Sequence, residues 1–149
     1  MTTIYVDADA CPVKAEILKV AERRNLPVVF VANTGLRPSR DPMVRNVTVS
    51  GSFDAADDWI VENALPGDIA ITADIPLAVR LVEKAVVALS HKGRIHDAAN
   101  IGMTSAMRNL SQDLREAGAI TSYNAPFGPR DRSAFIEGLE QAIRRVAAG

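Results

Sequence analysis

The stretch Val28-Val29-Phe30-Val31 contains no polar residue. A strand with one wet face alternates apolar and polar side chains, whereas a continuous β-branched run is buried on both faces. Such a strand needs helices above and below it, which means a parallel sheet of α/β type. The rest of the chain fits that frame. Ile4–Val6 reads as a strand. Val13, Ile17, Leu18, Val20 and Ala21 follow at helical spacing, behind a proline suited to a first helical turn, Pro12. Asn25-Leu26-Pro27 ends that helix. The region from Asn33 to Asn46 reads as a loop, long enough to be functional or mobile, and Val47–Val49 as a short strand. A helix is expected over Asp54 to Leu65, closed by Pro66-Gly67, and then a strand over Ile69–Ala73. A helix containing Leu77 to Val82 follows Pro76, and Ala85 to Leu89 reads as a strand. The last two helices are expected over Met103 to Ala117 and Arg132 to Val146, joined by the turn-rich SYNAPFGPRD. Strands separated by helices imply βαβ units with right-handed crossovers. The expectation is one α/β domain over residues 1–149, a three-layer sandwich with a mostly parallel central sheet.

Bulk properties exclude several classes. At 149 residues the chain is the size of one ordinary domain. Its 17 basic and 18 acidic residues leave a formal charge of −1, so charge alone does not hold it on nucleic acid. A single cysteine permits no intrachain disulfide and suits a reducing cytoplasm. The start shows no basic segment leading into an apolar one, so no signal peptide is expected. No apolar run is long enough for a membrane span. Aromatic residues are only 5%, which gives no evident stacking platform for single strands.

The chemistry is concentrated where the strands stop. The first strand ends on Asp7 and Asp9, and Ile69–Ala73 ends on Asp74. The helix between them opens with Asp54, Asp57 and Asp58. In open α/β sheets, ligands bind beyond the carboxyl ends of the strands. If the strands of Asp7 and Asp74 are neighbours, several carboxylates converge there. Carboxylates that close stay ionised together only around a cation; otherwise one takes a proton. Oxygen-only ligands suit Mg2+ or Mn2+, which activate water and clamp a phosphodiester. Ordinary roles compete with this. Asp54 and Asp9 both suit helix capping. Asp7 and Asp74 each end an apolar strand, where an unpartnered acid is costly, and they point to function more strongly. Asp57 and Asp58 are adjacent, so they cannot face the same way.

The strings DADACPV, GSFDAADDWI and ITADIPLA, with GPRDRSAF near the end, resemble the YaiI/YqxD family of uncharacterised bacterial proteins along essentially the whole chain. That family is similar to PIN-like domains, metal-dependent nucleases acting on RNA or DNA. The resemblance implies a PIN-like fold in which Asp7 matches an acid ending an early strand. Ala56-Asp57 matches a helix-start acid, which favours Asp57 over Asp58, and Thr72-Ala73-Asp74 matches a strand ending in Thr-x-Asp. PIN domains usually supply a further acid from a helix between the first two. Here Asn25 to Ser52 contains only Asp41, so Asp9 stands in for it or the site is incomplete.

The resulting expectation is a divalent-metal-dependent nuclease acting on phosphodiesters, RNA first. Asp7, Asp9, Asp57 and Asp74 are its catalytic acids, and Asp7, Asp57 and Asp74 hold Mg2+ or Mn2+. Asp58 and Asp97 are accessory candidates. Lys14, Arg37, Arg80, Lys92 and Arg130 are candidate phosphate contacts. One alternative is a PIN-like module that binds nucleic acid or protein without cleaving. Another is a haloacid-dehalogenase-like phosphatase with Asp7 as nucleophile and Asp9 as acid–base, drawing on Lys84 or Lys92 and on Asp97. Cys11 sits near a helix start, where a thiolate is stabilised, but a small packing residue is the simpler reading. His91 and His96 read as loop histidines, with a metal or acid–base role as the alternative for His96.

Overall fold

A computed structural model of the chain describes residues 2–9, 11–33, 38–51, 54–102 and 127–148. Arg37, the helix expected over Met103 to Ala117 and most of the connector after it lie outside the described residues. The strands are β1 (Ile4–Asp7), β2 (Val28–Ala32), β3 (Val44–Thr48), β4 (Ile69–Ile71), β5 (Val87–Leu89) and β6 (Ile95–His96). The helices are α1 (Lys14–Arg24), α2 (Ala55–Asn63), α3 (Ile75–Glu83) and α4 (Pro129–Ala148). The six strands form one sheet in the order β3-β2-β1-β4-β5-β6. All are parallel except β6, which runs antiparallel to β5.

Alternation along the strands divides the core. Ile4, Val6, Val28, Phe30, Ile69 and Ile71 face α1 and α4, where Ile17, Val20, Phe135 and Leu139 cover them. Val29, Val31, Ala70 and Ala88 face the other way, under Ala56 and Ile60 of α2 and Leu77 and Leu81 of α3. Every residue of β2 is buried, so its unbroken apolar run does have two covered faces. Burying each large apolar side chain stabilises the fold by roughly 1.5–3 kcal/mol. Polar ties lock the layers. Glu140 of α4 accepts from both Arg23 and Arg24 of α1. Arg132 donates to the Pro12 carbonyl at 2.7 Å and to Glu16 at 3.1 Å. The β5–β6 turn presses on α4 backbone to backbone. Gly93 has φ +87°, and a Cβ there would lie 2.1 Å from the Ala134 carbonyl oxygen, so only glycine fits.

Three features depart from the sequence expectations. The expected loop from Asn33 to Asn46 ends early, because β3 already begins at Val44. It is an edge strand, and its Arg45 and Asn46 hide it from a hydrophobicity pattern. The strand expected to run to Ala73 stops at Ile71, where the Thr72 hydroxyl turns to side-chain bonding. Two-residue β6 lies where the sequence reads as a loop; a strand that short has no periodicity. Among the described residues no helix is long and apolar enough to cross a membrane.

Candidate functional site

The sheet order makes β1 and β4 neighbours, with Val6 opposite Ile71. Their carboxyl ends therefore bring Asp7 beside Thr72 and the turn to Asp74. The Thr72 hydroxyl donates to Asp7 Oδ2 at 3.0 Å. The same oxygen of Thr72 accepts the Asp74 backbone N–H at 3.0 Å. Asp74 is the N-cap of α3, with Oδ1 accepting from the Leu77 N–H at 2.9 Å. Asp74 thus has the ordinary capping role as well as a place at the site.

Asp57 and Asp58 open α2 and diverge. Asp58 forms an ion pair with Arg80 of α3 at 3.0 Å, both side chains about half exposed. Asp57 feels the acids at the strand ends. Its carboxyl is pushed up from 3.8 to about 6, first by burial and then by the charges of Asp7, Asp74 and Asp54, with Arg80 pulling the other way. Burial also raises Asp7, helped by Asp9 and Asp74 and opposed by the Thr72 hydrogen bond. Asp7 and Asp57 therefore both feel the negative charge of neighbouring acids. Among the described residues no lysine or arginine forms an ion pair with Asp7, Asp57 or Asp74.

Two capping expectations fail. Asp54 occupies the N-cap position of α2 but its side chain makes no cap bond; its charge bears on Asp57 instead. Asp9 does not cap α1, whose N-cap is Val13. It accepts the Asn33 N–H at 2.9 Å, tying the loop after β1 to the loop after β2. Asp9 is exposed at the rim of the cluster.

Other candidates stand elsewhere. Asp97 follows antiparallel β6, which carries it back toward the amino end of the sheet. There it accepts from the Ala99 and Asn100 N–H groups and pairs with Arg145 at 3.3 Å. Asp97 is a turn cap with an ion pair, not an accessory acid of the cluster. Lys84, needed beside the nucleophile in a phosphatase scheme, donates to the Val61 and Glu62 carbonyls at the end of α2. Lys92 is exposed in the β5–β6 turn, and Arg130 is exposed in the first turn of α4. Arg80 is the candidate phosphate contact whose charge is felt by Asp57. Lys14 acts on Cys11, whose thiol is pushed up by burial and so is not activated. His96 is buried on the far side of the sheet from β1, and burial lowers both it and His91. Trp59 packs between Tyr5, at 6.1 Å between ring centroids, and the Arg45 guanidinium at 5.9 Å.

The residue whose part sequence reading did not assign is Thr72. Its signal was present: a hydroxyl two residues before an acid, at the end of an apolar run.

The donor set is oxygen only, which suits a hard cation. Among the described residues no three His, Cys, Asp or Glu side chains are grouped as a ready metal cage.

Comparison with known proteins agrees in one direction. The profile of the DUF188 family, described as an uncharacterised YaiI/YqxD family, matches residues 5–145. A UPF0178 protein of Agrobacterium fabrum is 64% identical over 143 residues, covering 96% of this chain and 94% of its own length. One from Rhizobium meliloti is 65% identical over 143 residues, covering 96% and 98%. One from Brucella ovis is 56% identical over 144 residues, covering 96% and 89%. The chain belongs to the YaiI/YqxD family.

Proposed function

We propose that this protein is a divalent-metal-dependent nuclease that hydrolyses phosphodiester bonds, with RNA as the first substrate to test. The observation that carries this reading is the meeting of β1 and β4 at their carboxyl ends, where the Thr72 hydroxyl donates to Asp7 and accepts the Asp74 N–H, each at 3.0 Å, beside Asp57, which burial and the charges of Asp7, Asp74 and Asp54 push up. Like charges gathered at strand ends with no paired cation favour either a proton or a metal ion. Asp7 and Asp57 would hold Mg2+ or Mn2+, with Asp74 completing the shell through its uncapped oxygen. Bound there, the ion would supply an activated water and neutralise charge on the phosphodiester. Asp9, exposed and tied to Asn33, lines the approach. Arg80 stands beside the acids, where it can take a phosphate oxygen by exchanging its weak surface pair with Asp58.

The binding-only reading calls for acids already neutralised by arginines. Acids set well apart would favour it too; among the acids that open α2, Asp58 is the one paired with an arginine, Arg80. Of the two lysines open to the phosphatase reading, Lys84 is bonded at the end of α2 and Lys92 is exposed in the β5–β6 turn. The test is calorimetric titration with Mn2+ together with cleavage of a single-stranded RNA oligonucleotide. Wild type should bind and cleave, and Asp7→Asn and Asp57→Asn should do neither. Mn2+ binding by both variants at wild-type affinity would remove the metal assignment. Binding of Mn2+ and RNA by wild type without cleavage would favour the binding module.

A further inference from the structure

At the amino rim, where β2 and β3 begin and α1 ends, a cavity of about 230 Å3 opens to the surface. Leu18, Leu26, Met43 and Val44 give it apolar walls, and Glu22 and Asp41 give it charged ones. Leu18 and Met43 are each 37% exposed; with Leu65 they are the exposed large hydrophobic residues among the described ones. Two of those three therefore flank one concave space. Drug-sized ligands fill about 300–1,000 Å3, so this smaller space suits a single long side chain.

The charge around the cavity has one sign. Neither Glu22 nor Asp41 forms an ion pair among the described residues. Asp41 accepts the Met43 N–H at 2.9 Å, a neutral donor that leaves its charge in place. The cations nearby in the chain are engaged elsewhere. Arg23 and Arg24, in the last turn of α1, are both drawn to Glu140 of α4. Arg45, next to Val44, lies over the Trp59 ring at 5.9 Å on the opposite face of the sheet. Asn25, the C-cap of α1, also lines the cavity, and the carboxyl end of a helix carries partial negative charge. The complementary occupant is apolar along its length and positive at its tip. A lysine side chain has that form, with four methylenes to lie between Leu18 and Met43 and an ammonium for the two carboxylates. We propose that this cavity is a docking site for a partner polypeptide, which inserts one lysine side chain into it. The site lies on the opposite rim from the strand-end acids and stands whether or not they hold a metal.

The probes are two capped tripeptides, glycine-lysine-glycine and glycine-norleucine-glycine, titrated into the full chain and followed by amide NMR. Norleucine keeps the lysine stem and removes the charge. The lysine peptide should shift the amides of Leu18, Glu22, Leu26 and Val44 saturably. It should bind about fivefold more tightly than the norleucine peptide, the upper range for one charge pair near a surface. That preference should shrink as salt is raised. Glu22→Gln should weaken the lysine peptide about threefold and leave the norleucine peptide unchanged. Asp41→Asn should do the same. Asp41 helps to start β3, so a thermal melt checks that variant; Glu22 is exposed on α1 and decides the matter if Asp41→Asn melts early. Equal affinity for the two peptides, no saturable shift, or a Glu22→Gln variant that weakens both alike would overturn the proposal. Shifts of the same amides on concentrating the protein alone would overturn it in favour of a second copy as the occupant.

Discussion

Asp68 and Asp7 are both acids at the ends of apolar strands, on opposite rims of the same sheet. Asp68 precedes β4 at the amino rim and is 6% exposed. One of its oxygens accepts the Thr3 N–H at 3.0 Å and the other the Leu65 N–H at 2.9 Å. Asp7 ends β1 at the carboxyl rim, with one hydroxyl donor and a surround of other acids. Both strand ends hold a partly or wholly buried carboxylate, so burial does not separate the two cases. Partners do. A structural acid has its charge answered by backbone N–H groups of its own fold. At the carboxyl rim the neighbouring acids Asp9 and Asp74 instead push Asp7 up, and perturbed acids gathered at strand ends mark a candidate site.

The comparison breaks most sharply by substitution at the amino rim. Asp68→Ala leaves the Thr3 and Leu65 N–H groups without acceptors, and should cost about 3 kcal/mol of stability by urea denaturation. A loss below about 1 kcal/mol would mean that water replaces the carboxylate, and that the two rims differ less than the bonds suggest. The carboxyl rim should respond instead to metal. Mn2+ at a hundred times its dissociation constant should stabilise the wild type by about 2.7 kcal/mol. The Asp68→Ala variant should gain as much, since its defect lies at the other rim. Mn2+ should add nothing to Asp57→Asn, and a wild type whose melting ignores Mn2+ would remove the distinction.

How much of this contrast could be read in the sequence depends on range. The run Val28–Val31 revealed two-sided burial because every neighbour that makes the signal is local. The helical spacing of Ile17, Val20 and Ala21 revealed α1 for the same reason. Arg45 and Asn46 concealed β3, because an edge strand is half open and tolerates polar residues. The site was legible as a list of acids, not as an arrangement. Asp7 meets Thr72 only because β4 inserts next to β1, and no local pattern encodes strand order. The resemblance already favoured Asp57 over Asp58; the physical reason, Asp58 pairing with Arg80, lies 22 residues away on another helix. Asp74 looked like the least ordinary acid and proved also to be a helix cap, since a strand end and a helix start share that position.

A smaller effect tests the strain itself. Asp57 has a folded value of about 6 against 3.8 as a free group. The folded state therefore holds its proton over a window in which the unfolded chain has lost it. Stability linked to this group is fully present below 3.8 and is lost as pH rises through about 6. Asp57→Asn never ionises, so without metal it should gain on the wild type across that window. Allowing for solvent screening of a partly exposed group, the gain at pH 7.5 should be about 1 kcal/mol, and near zero at pH 3.5. Urea denaturation at both pH values in chelator measures it. Equal stabilities at pH 7.5 would show that Asp57 is not strained.

The smallest effect on stability should come from Arg80. Its pair with Asp58 is exposed on both sides, so Arg80→Ala should change stability by less than about 0.5 kcal/mol. The guanidinium nevertheless opposes the acids around Asp57. Removing it should move the Asp57 titration to still higher pH, followed through the carboxyl carbon by NMR. Asp58→Asn keeps the guanidinium, so its Asp57 titration should lie below that of Arg80→Ala. A pair that mattered for folding would show the reverse: a large loss of stability in both variants and an unmoved Asp57. That result would place α2 and α3 with the amino rim, as scaffold. The expected one ties α2 and α3 to the acids instead, through the Arg80 guanidinium that acts on Asp57.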